Sequence, residues 1–185
     1  MMTMTEIDTK KASLIPVSRC NFAQMLRILQ AYQLIDQPVT PRQMSAYQDE
    51  YPLDPYDVSL ANRMLYKMGW IDGNRPYFEI TFLGKQIIKN SLPDLNAVAL
   101  KPLFQKSITN FEEITFLINE IHTISSLMRD EWVKLIEDTV MRINGQKTKG
   151  RSNAIFLFEL LLISGYFETM DYKVYTQRFD QMRSS

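Results

Sequence analysis

One cysteine, Cys20, and one histidine, His122, are all that this 185-residue chain contains of either type. A lone thiol excludes an intrachain disulfide framework and a multi-cysteine zinc site, and it favours a reducing compartment, so a cytoplasmic location is expected. A lone imidazole leaves little room for His-rich metal sites or a His-based triad. Charge of one sign is also lacking, because 21 Lys and Arg balance 21 Asp and Glu. No whole-molecule field therefore draws the chain to nucleic acid or to an anionic membrane, and any such binding must come from a local patch. Long apolar runs are missing too. The most apolar stretch, 154–167, carries Glu159 and is shorter than the ~20 residues a bilayer requires, so no membrane partner is expected. The polar, threonine-rich start lacks the apolar segment of a secretory signal, and residues 1–19 are expected to form a flexible arm. There is no Gly-rich phosphate loop, no Gly-x-Ser-x-Gly and no Cys-x-x-Cys, so no cofactor is implied.

What is present suits a folded chain. With 45% apolar and 23% charged residues it can bury a core, and disorder is excluded. Asn21 opens a helical stripe through Phe22, Met25, Leu26, Ile28 and Leu29 that ends near Tyr32. Thr40-Pro41 starts a short second helix that Pro52 must close. Asp54-Pro55 starts a third, to Met68, with Gly69 as a left-handed stop. Trp70-Ile71, an Asp72-Gly73-centred turn and Tyr77–Thr81 then read as a hairpin. A helix with Leu83, Ile87 and Ile88 leads to Pro93. The second half repeats the order. Asn110 with Glu113 resembles a capping box, Ser126 opens a helix containing Trp132 and Ile136, and a third helix spans Ser152 to Ser164 before Gly165. Tyr166-Phe167 and Tyr172–Thr176 flank a second tight turn. The expected fold is mainly α with small β-hairpins (α+β), as two winged helix-turn-helix units in tandem, 20–91 and 110–185, joined by a linker segment at 92–109.

Superposing Gly69 on Gly165 pairs Leu60 with Phe156, Ala61 with Leu157, Met64 with Leu160, Leu65 with Leu161, Trp70 with Tyr166 and Ile71 with Phe167. It also pairs the hairpin returns Tyr77–Thr81 and Tyr172–Thr176, which makes an internal repeat of about 95 residues. The run Tyr77-Phe-Glu-Ile-Thr-Phe-Leu-Gly-Lys85 resembles the wing strand and following helix of bacterial winged-helix proteins. The wider layout, over about residues 20 to 176, is similar to the tandem winged-helix recognition region of type IIS restriction endonucleases and their nicking relatives. Those enzymes carry a nuclease domain after that region, whereas this sequence stops at Ser185. The resemblance implies a recognition component of a restriction or defence assembly, or a transcriptional regulator.

In the first unit the residues facing a DNA groove would be Tyr56, Asp57, Ser59, Asn62 and Arg63, with Arg75 at the wing tip. Asn62 suits adenine and Arg63 suits guanine. Asp49, Glu50, Asp54 and Asp57 oppose this by crowding the approach with carboxylates. In the second unit Arg142, Lys147, Lys149 and Arg151 form a glycine-bearing basic loop without acids that enters the N-terminus of the third helix, an arrangement suited to phosphate. That helix is apolar nearly all round, which leaves Ser152, Asn153 and Glu159 for base contacts.

Asp94 and Asp171-x-Lys173 spell a metal-nuclease pattern, but they fall in different units and outside adjacent strands, so it reads as coincidence. His122 reads as structural. Cys20, beside Arg19, is open to mild activation or to simple packing. The leading expectation is a non-enzymatic protein that binds double-stranded DNA. The alternative is a winged-helix adaptor that binds a protein partner or a second copy of the chain.

Overall fold

The computed structural model describes residues 15–46, 53–145 and 150–176, and the protein is mainly helical with two small antiparallel sheets. The first half runs α1 (Phe22–Ile35), α2 (Pro41–Ser45), α3 (Pro55–Lys67), β1 (Ile71–Asn74), β2 (Tyr77–Ile80) and α4 (Phe82–Ser91). After α5 (Ala97–Asn110) the second half runs α6 (Ile114–Ile121), β3 (Ser126–Met128), α7 (Arg129–Asn144), α8 (Arg151–Ile163), β4 (Phe167–Met170) and β5 (Lys173–Thr176). Among the described residues no helix is long and apolar enough to cross a membrane.

The helix starts follow their capping chemistry. Asn21 and Gln24 form a reciprocal capping box on α1, Thr40 and Gln43 do the same on α2, and the Asp54 carboxylate accepts the Tyr56 N–H on α3. Helix α1 continues three residues past Tyr32, to a left-handed Asp36. The two halves share their topology. In each, a short extended piece between the first two helices pairs antiparallel with the return strand of the hairpin: Val39 with Phe78, and β3 with β5. Gly69 and Gly165 both end their helices with positive φ, at 76° and 84°. Of the six aligned pairs, five are buried on both sides, and only Leu60 is partly open.

Four expectations are corrected. The first hairpin turns at Arg75-Pro76, and Asp72 and Gly73 lie within β1, because this register buries Ile71, Phe78 and Ile80 together. Ser126 does not open a helix. Ser126–Met128 is the edge strand on β5, and α7 begins at Arg129, where Glu131 accepts the Met128 N–H. Asn110 caps nothing: it ends α5 and donates to the Met68 carbonyl, while Glu113 is buried in an ion pair with Lys67. The supposed linker at 92–109 is largely α5, capped by Asn96, with Leu100, Phe104, Ser107 and Ile108 buried at helical spacing despite Pro102.

Helix α5 joins the halves. Asn110 holds the end of α3, Gln105 donates to the Ser164 carbonyl at the end of α8, and the Trp70 indole N–H donates to Ser107 Oγ at 2.7 Å. One continuous apolar core runs through both halves. The Thr81-x-x-Gly84 motif serves this junction. Thr81 Oγ donates to the Gly69 carbonyl and accepts the Gly84 N–H, and a Cβ on Gly84 would sit 2.2 Å from the Trp70 carbonyl oxygen. Gly84→Ala is therefore expected to destabilise by about 1–3 kcal/mol, measured by urea unfolding, since backbone rather than a movable side chain blocks the methyl.

Candidate nucleic-acid interface

Helix α3 buries Val58, Ala61, Asn62, Met64 and Leu65, which turns Tyr56, Ser59, Arg63 and Tyr66 outward along one stripe with Leu60 and Lys67. That stripe is one wall of an open cleft of about 1540 Å³. The β1–β2 turn with Arg75, residues 15–19 and the start of α8 (Gly150, Arg151, Ser152) also line it.

Residues 15–19, expected as part of a flexible arm over 1–19, are held in place, and residues 1–14 of that arm lie outside the described residues. The Asn144 amide brackets Ile15, accepting its N–H at 3.0 Å and donating to its carbonyl at 2.8 Å, and Asn153 Oδ1 accepts the Ser18 N–H at 3.1 Å. Ile15, Ser18 and Cys20 are buried, while Arg19 stays exposed with its guanidinium 5.3 Å from the Tyr56 ring centroid.

The cleft draws arginines from four separate segments: Arg19, Arg63, Arg75 and Arg151. No carboxylate lines it among the described residues. Among the described residues Arg63 and Arg75 have no carboxylate partner, and Arg151 has a loose exposed contact with Asp130 at 3.8 Å, of the kind worth about 0–1 kcal/mol. The first turn of α8 adds the positive end of a helix dipole to the same lining. Comparison with protein-family models, with curated proteins and with solved structures finds no match to this chain.

Of the residues expected from sequence, the cleft gathers Tyr56, Ser59, Arg63, Arg75, Arg151 and Ser152. Two are corrected as base readers. Asn62 is only 3% exposed and its Oδ1 accepts the Tyr32 hydroxyl at 2.9 Å, while Asn153 is 1% exposed and holds Ser18. Both side chains are buried with Oδ1 engaged in a tertiary contact, and among the described residues Asn62 Nδ2 is buried without a hydrogen-bond partner. Arg142 is paired with Glu120 at 2.8 Å and does not line the cleft, and Glu159 is half-buried with its carboxyl pushed up by burial against a smaller opposing effect of Arg129. Asp57 is half-buried outside the lining, and Asp54 is the α3 cap. Lys147, Lys149, Asp49 and Glu50 lie outside the described residues.

Sequence reasoning missed Arg19, Tyr66 and Lys67. The last two fall on the Arg63 stripe and were legible from helical spacing. Arg19 had no local signal, since its place depends on contacts more than a hundred residues away in sequence.

Asp94 sits in the exposed α4–α5 connection and Asp171 at the tip of the β4–β5 turn. No group of three or more His, Cys, Asp or Glu among the described residues is placed to hold a metal ion. His122 is exposed at the end of α6, with Nδ1 against the Asn119 carbonyl.

Cys20 resolves in favour of packing: burial first, and the Asp57 carboxylate second, push its thiol up to about 11. The native thiol is expected to resist Ellman's reagent at pH 8 and to react fully once unfolded. Because the folded state keeps a proton that the unfolded thiol releases near pH 8.5, the stabilisation is complete below that pH and is lost as pH rises through about 11. Thermal melts between pH 7 and 10.5 are expected to fall less steeply for Cys20→Ala than for the parent.

Proposed function

We propose that the protein is a non-enzymatic DNA-binding module of two tandem winged-helix units, and that the cleft between α3, the first hairpin and the α8 start is its interface. The observation that carries this reading is the convergence of Arg19, Arg63, Arg75 and Arg151 on one cleft whose described lining holds no carboxylate. In a chain of zero net charge, such local segregation is what a polyanion partner requires. The repeated order of helices, edge pairing and hairpin supports the winged-helix reading. It is also the layout implied by the resemblance to type IIS recognition regions, which would make the chain a recognition component or a regulator.

The test is fluorescence anisotropy of labelled oligonucleotides at 50 and 200 mM salt, with parent protein and with cleft arginines replaced. Binding that weakens steeply with salt and is lost with the arginines supports the reading, and no binding at 50 mM salt overturns it. The adaptor reading draws on exposed Leu34 and Phe82, on helices bridged by Lys85 and Asp36. It would show as salt-resistant association with a protein.

A further inference from the structure

The geometry points to a single DNA strand, rather than a duplex, as the occupant of this cleft, with bases stacked on Tyr56 and Tyr66 and phosphates on the surrounding arginines. This rests on the DNA-binding reading above and narrows it.

A helix that reads a duplex must stand out as a ridge. The major groove is about 12 Å wide and a helix with its side chains is about 10–12 Å across, so no second segment can enter the groove alongside it. Helix α3 instead lines a concavity together with residues 15–19 and the start of α8. The crowding is worst at its N-terminal turn, the end that contacts base edges in helix-turn-helix readers, where Arg19 lies over Tyr56. Residues 15–19 do not simply swing aside, because Ile15 and Ser18 are buried and their backbone is held by Asn144 and Asn153.

The chemistry of the lining agrees with the shape. Tyr56 and Tyr66 are 58% and 49% exposed and lie ten residues apart on one stripe, about 15 Å along the helix, with Arg63 between them. Aromatic faces interleaved with cations form a stacking platform for unpaired bases. Asn62, the side chain on α3 best suited to read a base edge, is buried and bonded to Tyr32. Stacking without edge readout is tolerant of sequence, so little discrimination between base compositions is expected.

The test uses the full chain and three labelled probes of about a dozen nucleotides: a mixed single strand, oligo-dT, and the mixed sequence closed as a hairpin duplex. The single strands are expected to bind at least about ten-fold tighter than the duplex and within a few-fold of each other. Tyr56→Ala and Tyr66→Ala are each expected to weaken single-strand binding about ten-fold, while Tyr56→Phe and Tyr66→Phe retain it, since the ring does the stacking. Both tyrosines are exposed, so unchanged thermal melts will show that the variants are folded. Duplex binding equal to or tighter than single-strand binding overturns this inference and leaves the DNA-binding reading standing. Single-strand binding that is indifferent to both alanine variants also overturns it. Failure of all three probes at 50 mM salt overturns both.

Discussion

Replacing Trp70 with alanine is expected to cost about 3–5 kcal/mol, the range for removing a large aromatic from a packed core. In a chain of this length that lowers the melting midpoint by about 6–20 °C. Trp70 is fully buried, and its ring meets Phe104 of α5 at 5.5 Å and Phe156 of α8 at 6.3 Å between centroids. Its indole N–H is bonded to Ser107, so the residue ties the first hairpin to α5 and to the second half at once. The loss should therefore appear as one cooperative transition, coincident by near- and far-ultraviolet circular dichroism. Two separate transitions, with only the first shifted, would show that the halves fold independently. Tyr166 occupies the equivalent place in the second half, but its hydroxyl is buried without a hydrogen-bond partner among the described residues, and burial pushes it up to about 12. Tyr166→Phe is thus expected to leave stability unchanged or raise it by up to about 1 kcal/mol.

The largest effect on binding is expected from replacing Arg19, Arg63, Arg75 and Arg151 together with glutamine. Each phosphate neutralised contributes about 0.7 to the logarithmic salt slope on a single strand and about 0.9 on B-DNA. Four contacts make the parent's affinity fall about 50- to 150-fold between 50 and 200 mM salt. The four-fold variant should lose most of that dependence, and single replacements should each remove about one contact's share. Arg142→Gln is the control: that guanidinium is bonded to Glu120 and does not line the cleft, so the slope should not move. A slope that responds to Arg142 and ignores the cleft arginines would place the DNA elsewhere.

Much of the fold was legible because its signals are local. Asn21, Thr40 and Asp54 satisfy the first N–H groups of their own helices, and Gly69 and Gly165 take up the left-handed turn that ends α3 and α8. The repeat was visible for the same reason, since each half buries the same stripe. Within segment 92–109 the helix was not read, although Leu100, Phe104, Ser107 and Ile108 recur at helical spacing, because the partners that bury this stripe are distant in sequence. Ser126–Met128 was misread because an edge strand is defined by β5, which follows it by nearly fifty residues.

For the site, the sequence by itself determined which residue types are at hand: an outward stripe on α3 bearing Tyr56, Ser59 and Arg63, an arginine in the hairpin turn, and basic residues ahead of α8. Tertiary structure alone decided which of them lie together. It withdrew Asn62 and Asn153 into buried hydrogen bonds, tied Arg142 to Glu120, and brought residues 15–19 to the cleft lining. The physical reason is that helix phase fixes which side a residue faces, whereas the partner that competes for its polar atoms comes from packing. A side-chain amide that looks free along the chain is out of reach of a ligand once packing buries it against a tyrosine hydroxyl or a backbone N–H.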